Sequence, residues 1–238
     1  MFSGLSDIRK AGIFTALVLT MATAAALFIR VLRMPAGPVT AAIYMLVPAI
    51  ATLIMLLVIT RDGYTKAGWR SLGLHRAGHK VWWVALLAPL LVGVVGTAIV
   101  WATPLATFVA PPALAVVLSS FLIQLGVYTV TFSLGEELGW RGYLLPHLIQ
   151  LGRSRALVLV GLVWAAWHLP MILLTPLYHA NGNRWIVLPL FVATIVAGSF
   201  VFGYLRLRTG SVWPAAIAHT VHNVSWGTLT GLPLQTAP

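Results

Sequence analysis

Glu136 and Glu137 stand side by side in the run Leu-Gly-Glu-Glu-Leu-Gly-Trp-Arg-Gly-Tyr. The chain has only 4 Asp and Glu residues, so half of its carboxylates are adjacent, and they lie in an apolar stretch. A charged side chain at the centre of a bilayer costs several kcal/mol, and a fold keeps one where something pairs it or uses it. Glu137 and Arg141 are four residues apart with the acid on the N-terminal side, the favourable order for an ion pair on one helix face. Glu136 is turned about 100° away and has no oppositely charged neighbour along the helix. Two carboxylates crowded in low dielectric cannot both ionise freely, which suits one of them to general acid–base work.

Further groups of the same kind follow: His168, then His219, His222 and Asn223. His219 and Asn223 share a helix face at a spacing of four, with His222 on its flank. If Pro146, Arg155 and Gly210 mark the cytoplasmic ends of their helices, Glu136, His168 and His219 lie about 14–20 Å deep. Three helices then bring reactive groups to a similar level. Each residue also has a structural reading. Glu137–Arg141 can be an ion pair alone, and His168 or His219 with Asn223 can be hydrogen-bonding links between helices. His75, His79, His147 and His179 lie near helix ends or in loops and read as solvated. Trp82, Trp83, Trp185 and Trp213 read as interfacial anchors.

The elements that must position these groups are membrane helices. Apolar residues make up 60% of the chain and charged residues 8%, against about 25% charged in soluble domains. Seven apolar runs are long enough to span a bilayer: 11–32, 36–60, 81–103, 113–135, 156–175, 185–205 and 212–232. The expected fold is an all-α polytopic bundle of about seven transmembrane helices, with six or eight also compatible. It forms one integral membrane domain over 1–238, with a motif-bearing core at about 112–225. The first run is read as a retained helix, since its apolar stretch is of full span length.

The net charge of +11 does not indicate nucleic-acid binding, because the 15 Lys and Arg residues fall between the apolar runs. With the N-terminus inside, all but Arg30, Arg33 and Arg184 lie in or next to cytoplasmic segments, the positive-inside pattern. The expected location is a cytoplasmic membrane, and the short chain without a targeting extension suggests a bacterial one. The 61–80 loop is taken to fix topology rather than to guide substrates. With no cysteine, disulfides, thiolate metal sites and a cysteine nucleophile are excluded.

Most ways of cutting a peptide bond within a membrane make demands this chain does not meet. It has no His-Glu-x-x-His zinc helix. Asp7 and Asp62, its two aspartates, both lie in polar flanks, and Gly210-Ser211 follows a basic turn rather than forming a nucleophile elbow. What remains is Glu136 with His168 to activate water, and His219 with Asn223 to stabilise the oxyanion.

Glu-Glu-x-x-x-Arg at 136–141, Trp164-x-x-x-His168 and His219-x-x-x-Asn223 resemble, in order and separation, the three motifs of the CPBP family of intramembrane proteases. These are the CAAX-prenyl-endopeptidase and bacteriocin-processing membrane proteins, also called Abi. Trp-Arg-Ser-Leu-Gly-Leu at 69–74 and Arg-Thr-Gly-Ser-Val-Trp-Pro-Ala at 208–215 extend the resemblance to roughly 60–225. It implies that Glu136 activates water together with His168, that His219 and Asn223 form an oxyanion hole, and that Glu137 and Arg141 support the site. Trp164 stands where the family often has Phe, and His222 has no assigned role.

A glutamate base working without a cofactor is favoured. Zinc is the alternative, with Glu136, His168 and His219 as its three ligands. The expected activity is endopeptidase cleavage of a membrane-associated peptide or protein near the cytoplasmic face. Peptide maturation, bacteriocin self-immunity or turnover of membrane proteins fit a bacterial source better than prenylated substrates do. The alternatives are a non-catalytic immunity or scaffold protein of the same fold and a proton-coupled transporter, the latter disfavoured because no inverted repeat is evident. The expected partners are the substrate and the lipid bilayer.

Overall fold

The computed structural model describes residues 4–103, 113–178 and 183–231. These residues are helices and their connections, with no strand among them. In chain order the helices are α1 (Asp7–Val31), α2 (Pro38–Ile59), the short α3 (Lys66–Ser71), α4 (His79–Trp101), α5 (Ala115–Leu151), α6 (Arg153–Leu174), α7 (Arg184–Thr209) and α8 (Trp213–Gly231). Six of them, α1, α2, α4, α5, α6 and α7, are long and apolar enough to cross a membrane. The chain is an all-α, multi-pass membrane bundle. α8 has the length of a span but a more polar composition, because it carries His219, His222 and Asn223. His179 and the first residue of the expected core, 112, lie outside the described residues, as does the final residue of the run 212–232.

The bundle is assembled through small residues. α1 buries Ala11, Phe14, Val18, Ala22, Ala26 and Ile29 at intervals of three and four, a stripe that lets helices approach closely where the bilayer gives no hydrophobic drive for association. α6 and α7 meet at Gly161, where a Cβ would lie 2.8 Å from the Val196 Cα. Ser199 donates to the Leu157 carbonyl (2.8 Å) across the same contact.

α5 departs most from expectation. The run 113–135 continues through Pro146 to Leu151, for 37 residues, or about 55 Å at α-helical rise. Pro146 does not end the helix, because it lies at the first turn of the α-helical segment Leu145–Leu148, where its missing N–H costs little. The depth of Glu136 must therefore be counted from Leu151, which places it about 22 Å from that end. Two π-helical turns, Thr129–Ser133 and Leu138–Leu144, bracket the α-helical turn Leu134–Glu137. Such bulges inside α-helices recur at functional sites. Here they flank the glutamate pair.

The 61–80 loop is docked as well as basic. Lys10 pairs with Asp62 at 2.7 Å, tying the start of the loop to α1. Arg206 of α7 donates through Nη2 to the Ser71 carbonyl (2.6 Å) and through Nε to the Arg141 carbonyl (2.9 Å). The Val212 N–H reaches the Gly73 carbonyl at 3.4 Å, the Trp213 indole donates to the Leu74 carbonyl at 3.0 Å, and the Ser211 hydroxyl donates to the Arg76 carbonyl. Segments 69–74 and 208–215 are thus the two sides of one seam. Gly73 has φ +80° and sits so close to Arg206 that a Cβ would be 2.4 Å from Nη1, so both backbone conformation and space call for glycine. Trp213 is a seam residue, whereas Trp82, Trp83 and Trp185 are exposed near helix ends. His75 and His79 are exposed. His147 is half-buried instead, 3.8 Å from Asp7, with its Nδ1 donating to the Tyr143 carbonyl.

Candidate active site

The two adjacent glutamates face different helices. One residue of rotation sends Glu136 towards α6 and Glu137 towards α8. Glu136 Oε2 accepts from the Trp164 indole N–H at 3.0 Å and, more weakly, from the Trp140 indole N–H at 3.4 Å. Glu137 Oε1 accepts from Arg141 Nη1 at 2.8 Å and from His219 Nδ1 at 3.0 Å. Glu136 is 2% exposed, Glu137 and Arg141 0%, and His219 3%. An acidic pair this deep needs donors, and each carboxylate has two.

Trp164 is where these groups meet. Its indole N–H holds Glu136, and its ring carries the Arg141 guanidinium carbon 4.5 Å from the centroid. The His219 ring packs against it edge-on at 5.2 Å, and the His168 ring lies at 6.0 Å. Phe202 of α7 closes the far side, 5.1 Å from Arg141 and stacked on His219 at 5.5 Å. A guanidinium between two aromatic faces and a carboxylate is held by both its charge and its plane.

The two histidines are oriented alike. His168 Nδ1 lies 2.9 Å from the Trp164 carbonyl, which can only accept. Nδ1 therefore carries the proton, and Nε2 is the basic nitrogen of the neutral ring. His219 Nδ1 meets a carboxylate oxygen, which again places the proton on Nδ1. Helices α5 and α8 are held in register beside this contact by hydroxyls. Thr220 Oγ1 lies 3.0 Å from Thr129 Oγ1 and 2.8 Å from Ser133 Oγ, so the π-helical turn before the glutamates is bonded to the residue after His219.

Of the residues expected at the site, Glu136, Glu137, Arg141, Trp164 and His219 are joined by direct contacts, and His168 reaches them through Trp164. Asn223 lies one turn beyond His219 and is exposed, with no hydrogen bond among the described residues. His222 is half-buried on the neighbouring flank. Sequence reasoning missed Trp140, whose signal was available: it is four residues after Glu136, the spacing that had paired Glu137 with Arg141. It also missed Thr220 and Phe202, whose roles depend on which helices meet.

The donor set bears on a metal. Among the described residues no three His, Asp or Glu side chains are gathered as ligands. The indole bonds occupy Glu136 Oε2 and the Glu137 contact occupies His219 Nδ1, which leaves Glu136 Oε1 and His219 Nε2 as the atoms that could face a metal. Arg141 also lies within the cluster, and a guanidinium is a poor neighbour for a divalent cation. The three donors named for zinc are therefore not gathered around one centre among the described residues.

Comparison with known proteins covers the same segment of the chain. The family model for type II CAAX prenyl endopeptidase Rce1-like proteins matches residues 118–225. CAAX prenyl protease 2 of Methanococcus maripaludis is 30% identical over 94 residues, covering 38% of this chain and 35% of that protein. The match thus spans about a third of the relative's length. The matched segment contains Glu136, Glu137, Arg141, Trp164, His168, His219 and Asn223. The segment that builds the site is thus similar to type II CAAX prenyl endopeptidase Rce1-like proteins, in line with the resemblance carried by its three motifs.

Proposed function

We propose that this protein is an intramembrane endopeptidase that hydrolyses a peptide bond of a membrane-associated protein or peptide near the cytoplasmic face. One observation carries the reading: a buried carboxylate, Glu136, is held by neutral indole donors and not by a cation, within a cluster drawn from three helices. A carboxylate neutralised by Arg141 would be a structural ion; Glu137 is that residue.

In this scheme Glu136, with the basic Nε2 of His168, takes a proton from a water as its oxygen attacks the scissile carbonyl carbon. The electron pair of the carbonyl moves to oxygen, and that oxyanion is met by donors from His219 and Asn223. His219 donates through Nε2 only when doubly protonated, and the Glu137 carboxylate at its Nδ1 is placed to balance that charge. Collapse re-forms the carbonyl and breaks the C–N bond, and the proton held by Glu136 passes to the departing amine. No metal takes part. The N-terminus lies inside, the cytoplasmic membrane of a bacterium is the proposed location, and peptide maturation or membrane-protein turnover is the proposed setting.

The test is cleavage of a panel of membrane-tethered peptides by purified protein, with wild type beside Glu136→Gln, each with and without a strong chelator. Cleavage that needs Glu136 and survives chelation supports the proposal. Activity in Glu136→Gln, or loss on chelation with recovery on adding zinc, overturns it.

A further inference from the structure

The antiparallel pair α6 and α7 carries a groove lined by none of the glutamate cluster's residues. At one end is a cavity of about 310 Å³ lined by Arg153, Leu157, Phe200, Tyr204, Leu207 and Arg208. Arg153 opens α6 and Arg208 lies in the last turn of α7, so both guanidinium groups sit at the same end of the pair. Phe200 also lines a second cavity, of about 860 Å³, which follows α7 back to Trp185. Its floor is made of small and branched apolar side chains, among them Ala193, Val196 and Ala197, and Arg184 stands with Trp185 at its far end. From Phe200 to Trp185 is 15 residues, about 22 Å along the helix. The groove therefore has a cationic mouth and an apolar trough that runs into the bilayer.

Among the described residues no acidic side chain answers the two mouth arginines. Of the 4 carboxylate side chains, Asp62 is bonded to Lys10, Asp7 lies beside His147, Glu137 is bonded to Arg141, and Glu136 is buried against Trp140 and Trp164. Both arginines are exposed, at helix ends where a membrane helix meets the headgroups. The charge complement must come from outside, and it must be attached to something apolar if it is to use the trough.

We propose that this groove seats one anionic phospholipid, its phosphate between Arg153 and Arg208 and one acyl chain along α7 past Phe200. Basic pockets between transmembrane helices select anionic headgroups in this way. The Tyr204 hydroxyl supplies a further donor at the mouth, and Leu157 and Leu207 line the passage to the chain. A zwitterionic lipid brings its own cation and gains little from the two arginines. The lipid would pack against α6, the helix that carries Trp164 and His168. The proposal does not depend on the protein being a protease.

The experiment uses full-length protein in neutral detergent, with its thermal midpoint titrated by phosphatidylglycerol or phosphatidylcholine and bound lipid counted by native mass spectrometry. Phosphatidylglycerol is expected to raise the midpoint saturably and to appear as one retained lipid, and phosphatidylcholine to do neither. Arg153→Gln with Arg208→Gln should weaken the effect by on the order of ten-fold or more, while Lys66→Gln with Arg70→Gln, two exposed cations elsewhere, should leave it unchanged. Ala197→Phe, which fills the trough and keeps both charges, should also weaken it. Equal response to the two lipids, undiminished binding in the double arginine variant, or an equal loss in the control pair overturns the proposal. Unchanged binding in Ala197→Phe, or displacement by inorganic phosphate alone, overturns it as well, by showing an anion site without a lipid chain.

Discussion

The Trp164 indole donates to Glu136 Oε2 at 3.0 Å while the face of the same ring carries the Arg141 guanidinium at 4.5 Å. One side chain thus holds the unpaired carboxylate and packs on the cation that neutralises its neighbour. The two functions separate on substitution. Trp164→Phe keeps an aromatic face for Arg141 and removes the N–H. Losing a hydrogen bond to a buried ionisable group costs about 1.5–3 kcal/mol, so kcat for peptide cleavage should fall roughly 10–100-fold, with KM and the yield of folded protein little changed. Steady-state kinetics beside size-exclusion profiles measure both. An unaltered kcat would show that the indole N–H does not position Glu136.

The glutamates should respond differently to the same chemical change. Glu136→Gln keeps shape and an oxygen for the indoles, so the protein should fold normally and lose cleavage. Glu137→Gln removes the charge that both Arg141 and His219 rely on, so it should lower stability as well as activity. Thermal unfolding in detergent, run next to the cleavage assay, separates a reacting carboxylate from a supporting one.

Arg141→Ala strands the Glu137 carboxylate at 0% exposure. Breaking a buried pair by removing one partner costs about 3–5 kcal/mol, so the folded yield should drop sharply. Arg141→Lys should rescue only part of it, because an ammonium cannot lie flat between the rings of Trp164 and Phe202. Normal stability with lost cleavage in Arg141→Ala would instead place the guanidinium on substrate.

How far the sequence could be read follows from the range of each interaction. Glu137–Arg141 is a contact within one helix, and spacing alone predicts it. The membrane spans follow from apolar run length, which is likewise local. The end of α5 does not, because Pro146 looks like a stop unless the segment that begins just before it is known to start a new α-helical turn. The grouping of Glu136 with Trp164, and of Glu137 with His219, depends on α6 and α8 meeting each other beside α5, at neighbouring positions round its circumference. A rotation of 100° was visible in the sequence, but the helix met on each side was not. Trp140 could have been found by applying the four-residue rule to both glutamates.

The docking of the 61–80 loop gives the last prediction. Arg206 joins the Ser71 carbonyl on that loop to the Arg141 carbonyl on α5, so the loop and the site-bearing helix share one buried cation. Arg206→Met keeps the aliphatic stem and removes both bonds, leaving two carbonyls without their donor. The loop should then leave the seam more often, and limited proteolysis within 66–80 should speed up several-fold, while the Glu137–Arg141 pair stays intact. Gly73→Ala attacks the same seam from the other side, forcing a Cβ against Arg206 at a residue with φ +80°, and should expose the same stretch. If the loop only sets topology, neither change should alter cleavage by the folded protein. If its docking holds the site end of α5 in place, both should lower kcat together with the gain in proteolysis, and the agreement of two chemically unrelated changes would assign the effect to the seam rather than to either side chain.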